Sequence, residues 1–139
     1  MTVGARLLLD TCVMLYAAGT EPLRPEARLA IEGAGQDGRL FVSPVSAWEI
    51  GLLMAKGRLK SMHSAIEFFE QFVKRASCLV CDLTPAILAN SSFLPHLNHR
   101  DPADCLLIAT ARALELTLVT RDRAILSYGS EGHVRTLAC

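Results

Sequence analysis

The chain has no surplus of charge: 14 Lys and Arg balance 14 Asp and Glu. A net charge of zero excludes the strongly basic kind of nucleic-acid binder, so any grip on RNA or DNA has to come from a local patch. Long apolar runs are also missing. Nothing reaches the ~18 residues of a membrane span, and the run near the N-terminus is broken at Asp10, too short for a signal peptide. A cytoplasmic protein is therefore expected. Zinc-ligand spacing is absent as well. Cys78 and Cys81 form a lone C-x-x-C with no second Cys or His pair, and in a strand they would face opposite ways. The five cysteines, an odd number without an export signal, read as reduced thiols. No repeat or low-complexity tract divides the chain. Its 139 residues, 51% of them hydrophobic, are expected to form a single domain over 1–139.

What is present begins with Leu7, Leu8 and Leu9, a strand buried on both faces, followed at once by Asp10. A carboxylate does not belong inside such a strand, so it stands at the exit, where Val13, Tyr16 and Ala17 already fall at helical spacing. In an open parallel sheet ligands bind at strand exits, although an Asp there is equally suited to capping the next helix. The arrangement recurs where the strand Leu116 to Thr120 runs into Arg121 and Asp122. Between these points, helices are expected over Arg24 to Ala34, stopped by Gly33 and Gly35, and from Ser43-Pro44 to about Lys56, with Val45, Trp48, Leu52 and Leu53 as the apolar face. Others are expected over Ser64 to Ala76, over Ala86 to Leu94 and from Asp101-Pro102 onward. Strands are expected at Leu40 to Val42, at Cys78 to Cys81 and, weakly, at Val134 to Leu137 after a Gly-rich loop. This alternation predicts an α/β fold with helices on both faces of a parallel sheet.

Two further acids are out of place. Glu49 is set against the apolar face of its helix, and Asp104 shares a face with Leu107, Ile108 and Ala111. Asp101, before Pro102, is accounted for as an N-cap. If Asp10 and Asp122 leave adjacent strands in one direction, Glu49 and Asp104 can be aimed at the same sheet edge. Four carboxylates side by side need a positive charge among them. An all-oxygen set without His or Cys selects Mg²⁺ or Mn²⁺, ions that serve phosphodiester cleavage. The chemistry points to a metal-dependent phosphodiesterase or nuclease. A receiver domain would need a lysine after a late strand, and the lysines are Lys56, Lys60 and Lys74. An aspartyl-phosphate phosphatase would carry Asp-x-Asp where this chain has Asp10-Thr11-Cys12. A binding module whose acids are only caps and surface charges stays open, with Phe68, Phe69 and Phe72 as its partner face.

From Leu7 to about Tyr128 the chain resembles a PIN domain of the VapC type, the toxin ribonuclease of bacterial toxin-antitoxin pairs. Four blocks carry the resemblance: Leu8-Leu-Asp-Thr; Ser46-Ala-Trp-Glu-Ile-Gly with Lys56-Gly-Arg-Leu; His99-Arg-Asp-Pro-Ala-Asp with Leu107-Ile-Ala-Thr-Ala; and Leu118-Val-Thr-Arg-Asp. The resemblance implies a three-layer α/β/α fold around a central, mainly parallel sheet of four to five strands. It implies a Mg²⁺- or Mn²⁺-dependent endoribonuclease, the toxin of a type II module, cutting RNA with a metal-activated water. A homodimer and inhibition by a small VapB-like antitoxin are implied as well. The family's acidic residues, catalytic and metal-binding, fall on Asp10, Glu49, Asp104 and Asp122. Thr11 and Thr120 fall on positions that support them by hydrogen bonding, and Asp101 is expected beside them. Where the family commonly has Arg this chain has Cys105, and Arg100, Arg121 and Arg123 are the nearby cations for RNA phosphate. The alternative is a catalytically weak PIN domain acting mainly as a protein-interaction module.

Overall fold

The computed structural model describes residues 4–98 and 101–139. Arg100 therefore lies outside the described residues. The elements are β1 (Leu7–Leu9), α1 (Thr11–Ala17), α2 (Pro25–Gln36), β2 (Leu40–Val42), α3 (Pro44–Ala55), α4 (Ala65–Ala76), β3 (Leu79–Val80), α5 (Pro85–Asn90), α6 (Pro102–Leu114), β4 (Thr117–Thr120), α7 (Arg123–Ser130) and β5 (Arg135–Ala138). The strands form one five-stranded sheet in the order β3-β2-β1-β4-β5, every neighbouring pair parallel. Parallel neighbours require crossovers, which the helices supply on both faces. This is the expected α/β/α arrangement.

β1 lies in the middle of the sheet, which is why it reads as three leucines: Leu7 pairs with Leu40 and Thr117, Leu8 with Phe41 and Leu118. Leu7, Leu9 and Val119 pack on one face against α1, α2 and α4 through Met14, Ile31, Phe69 and Phe72. Leu8 and Leu118 pack on the other against α6 and α7 through Leu107, Ile108, Ile125 and Tyr128. Cys78 belongs to the first cluster and Cys81 to the second. Burial pushes their thiols up to about 12 and about 11, which fits inert thiols on opposite faces.

Four expectations need correction. Gly33 and Gly35 do not stop α2, which runs to Gln36. A Cβ at Gly35 would lie 2.6 Å from the Ala76 carbonyl oxygen, so this glycine lets α2 approach the end of α4 closely. Gly35→Ala is expected to lower stability by about 1–3 kcal/mol, read as a shifted urea midpoint with unchanged slope. On α3 the buried residues are Val45, Ser46 and Ile50, whereas Trp48 and Leu52 are 51% and 39% exposed. That helix is apolar almost all the way round, so spacing alone gave its face no direction. α5 ends at Asn90, short of Leu94. Residues expected to form a loop before β5 form α7, with Ile125 and Tyr128 as its buried pair. The aromatic residues of α4 serve the molecule's own core: Phe69 and Phe72 are buried and Phe68 packs against the same cluster. Phe69 and Phe72 are thus accounted for as core, while Phe68 stays half-buried.

Candidate active site

β1 and β4 are adjacent and parallel, so the residues just past each strand arrive at the same edge of the sheet. The ladder continues one step past β1, Asp10 N–H donating to the Val119 carbonyl at 3.0 Å. Asp10 occupies the N-cap position of α1, but its side chain makes no cap bond; its backbone carbonyl takes the Val13 and Met14 N–H groups instead. The carboxylate, 6% exposed, accepts the Thr120 hydroxyl at Oδ2, 2.7 Å away. Capping therefore does not account for this acid.

Thr120 is fully buried and ties the two strand exits together. Its hydroxyl donates to Asp10 and its Oγ1 accepts the Asp122 N–H at 3.1 Å. Thr11 does the same between α1 and α3, lying 2.5 Å from Glu49 Oε1 and 2.9 Å from Ser46 Oγ. A hydroxyl has one proton, so Thr11 donates to Glu49 and Ser46 donates to Thr11. Ser46, wholly buried, is a supporting residue that sequence reasoning missed. Its signal was a hydroxyl three residues before Glu49, on the same helical face.

Electrostatics place the acids in one neighbourhood. Burial, opposed by the Thr120 hydrogen bond, pushes the Asp10 carboxyl from 3.8 up to about 6, and the charges of Asp104 and Asp122 add to the rise. Glu49 is pushed from 4.5 up to about 7, first by burial and then, against the Thr11 bond, by Asp10, Asp104 and Asp101. Asp104 stands on the first turn of α6, its N–H bonded to the exposed Asp101 carboxylate at 3.0 Å, as expected of a cap. Asp122 is also a cap, its Oδ1 accepting the Ile125 N–H at 3.0 Å. The Cys12 thiol, on the first turn of α1, is raised to about 11 by burial and then by Asp10, Glu49 and Asp104. The exposed thiol is therefore neutral at physiological pH.

The arginines divide. Arg121 lies 4.3 Å over the Tyr16 ring and donates to Glu21, to Pro22 O and to Cys139 O, so its partners are none of the four acids. Arg123 is exposed at the start of α7.

Among the described residues no three His, Cys, Asp or Glu side chains are arranged to hold a metal ion. The donor set nevertheless fits a hard divalent cation. It is all oxygen, and neither Asp10 nor Glu49 has a cation beside it among the described residues to offset the repulsion. Asp10, Glu49 and Asp122 each have one oxygen held by a hydrogen bond that fixes the carboxylate's direction. A cavity of about 770 Å³, lined by Tyr16, Ile31, Phe68 and Phe72, contains none of these acids; the site is marked by its chemistry and not by depth.

With this geometry in place, comparison with known proteins gives a consistent result. The PIN domain family matches residues 7–130. Ribonuclease VapC22 of Mycobacterium tuberculosis is 30% identical over 123 residues, covering 88% of this chain and 91% of that protein. Among solved structures, VapBC2 from Rickettsia felis bound to a promoter DNA fragment aligns over 95% of this chain and 97% of its own with a TM-score of 0.71 at 17% identity. VapBC-1 from nontypeable Haemophilus influenzae aligns over 95% and 96% with a TM-score of 0.61 at 15% identity.

Proposed function

We propose a function from one premise: this chain belongs to the PIN domain family, with a VapC-type ribonuclease among its relatives. It is the ribonuclease toxin of a toxin-antitoxin pair, an endoribonuclease that depends on Mg²⁺ or Mn²⁺ held by Asp10, Glu49, Asp104 and Asp122. The observation that carries this reading is the pair of buried hydroxyl braces, Thr120 on Asp10 and Thr11 on Glu49. A fold that needed these acids only as caps would not bury Asp10 beside Asp104 and Asp122 and push its pKa to about 6.

The divalent ion, when bound, supplies acidification of water and neutralisation of phosphate charge. The chain's own residues do the positioning. Thr120 and Thr11 each fix one oxygen of Asp10 and of Glu49, so both carboxylates are held in a set orientation. Asp122 and Asp101 cap α7 and α6 and thereby set where those helices begin. Arg123 supports phosphate contact, and with few such cations the salt dependence of RNA binding is expected to be shallow.

The family's complexes support a small VapB-like antitoxin as the partner. The exposed Trp48 and Leu52, one turn apart on α3, support a homodimer. No helix among the described residues is long and apolar enough to cross a membrane, which is compatible with the proposed action in the cytoplasm.

The direct test is cleavage of a labelled structured RNA pool by antitoxin-free protein in Mn²⁺, in Mg²⁺ and in EDTA. Cutting is expected with either ion and none in EDTA. Asp101→Asn is expected to keep most of the activity, because Asn also caps well. A folded protein that binds Mn²⁺ and cuts nothing would sink the nuclease reading.

A further inference from the structure

We infer that Arg121 is a positioning residue for the acidic site and not a contact for RNA phosphate, an inference that rests on the nuclease reading above. Arg121 stands in the chain between Thr120, which holds Asp10, and Asp122, which is bonded to Thr120. Its guanidinium reaches three separate segments. It lies 4.3 Å over the Tyr16 ring in α1 and donates at 2.8 Å to Glu21 and at 2.9 Å to Pro22 O in the loop after α1. It also donates at 2.9 Å to Cys139 O beyond β5.

These anchor points are the two halves of the site seen from behind. α1 begins at Asp10 and Thr11 and ends at Ala17, so holding Tyr16 holds the far end of the helix whose first turn carries the acid. Cys139 closes the other side: its N–H donates to the Thr120 carbonyl at 3.2 Å, while its own carbonyl takes both Arg24 N–H and Arg121. The backbone of Thr120 is thus clamped by a residue that Arg121 itself holds. A hydroxyl–carboxylate bond of 2.7 Å weakens over a few tenths of an ångström, so slack between α1 and the β4 exit loosens the orientation of Asp10.

The ion pair alone does not explain the arrangement. Its side chains are 37% and 57% exposed, and an exposed pair contributes little. What lysine could not reproduce is the planar fork that stacks on an aromatic ring and bonds two carbonyls and a carboxylate at once. A phosphate-binding arginine would keep its donors for its ligand; here three of the five N–H groups are used within the fold.

The test compares Arg121→Lys, Arg121→Gln and Tyr16→Leu with wild type in three measurements: kcat and KM for RNA, Mn²⁺ affinity by calorimetry without RNA, and the salt slope of RNA binding in an Asp10→Asn background. A positioning role gives a kcat lower by about 10–100-fold and weaker Mn²⁺ binding, with KM and salt slope unchanged. Tyr16→Leu, which keeps the charge at 121, is expected to follow the same pattern and decides the matter if the Arg121 variants do not fold. A phosphate contact gives the opposite pattern, overturning the inference: a raised KM, a salt slope reduced by about 1, and near-normal activity in Arg121→Lys. If wild type itself cuts no RNA, the nuclease reading fails on its own, and unchanged Mn²⁺ affinity in the folded variants still overturns the role given to Arg121.

Discussion

Asp10→Asn is expected to abolish RNA cleavage, a loss on the order of 10³-fold, in a protein that melts higher than wild type in EDTA at pH 7.5. Both effects have one cause. Asp10 is buried beside other acids and its carboxyl titrates at about 6 instead of 3.8. In the unfolded chain it ionises at its ordinary value, so above pH 6 the folded state carries a charge that the unfolded state holds more cheaply. Removing that charge is worth about 2–3 kcal/mol at neutral pH. Asn keeps the shape and still accepts the Thr120 hydroxyl. A rise of roughly 5 °C in the melting temperature, followed by circular dichroism, is expected. An inactive variant that melts lower would show instead that the carboxylate holds the fold together.

The second large effect is a pH dependence that the cation offsets. The native carboxyls of Asp10 and Glu49 titrate at about 6 and about 7, against 3.8 and 4.5 for unperturbed groups. Between roughly pH 4 and 7 the native state therefore binds more protons than the unfolded chain. These groups stabilise the fold fully below pH 4, lose that contribution as pH rises through the window, and change nothing further above 7. In EDTA the melting temperature is expected to fall from pH 5 to pH 8. Mn²⁺ binds the ionised carboxylates, so it should add little at pH 5. At pH 8 it should add about 2.7 kcal/mol at 100 times its dissociation constant. Cleavage should rise through the same range, between pH 6 and 7. Equal gains from Mn²⁺ at both pH values would place the cation away from these two residues.

Asp10 and Glu49 were legible in the sequence because each is a charge where the local pattern is apolar. Asp104 was legible for the same reason, and Asp101 because Pro102 comes directly after it. Asp122 was found by its place after a strand, but its bond to Ile125 was not, because Gly129 and Gly132 disguise α7 as a loop. Trp48 and Leu52 were taken for core because nothing in a helix apolar on every side tells which stripe faces inward. Arg121 was read as a cation for RNA phosphate because its partners, Tyr16, Glu21, Pro22 and Cys139, are brought together only by the fold. The parallel strands were legible one by one, but their order was not; strand spacing does not say that β1 lies between β2 and β4.

The place of β1 also sets when the acids can meet. Leu7 to Leu9 leave the ribosome before their β4 partners, which emerge only after more than a hundred further residues, and Thr120 lies 110 positions beyond the Asp10 it holds. At about 5–20 residues per second, a growing chain spends roughly 5–20 s with Asp10 made and its brace not yet synthesised. During that time the first strand and helix carry one acid of the four and none of the geometry. The site proposed for RNA cleavage therefore cannot assemble on a growing chain until β4 has emerged and paired with β1.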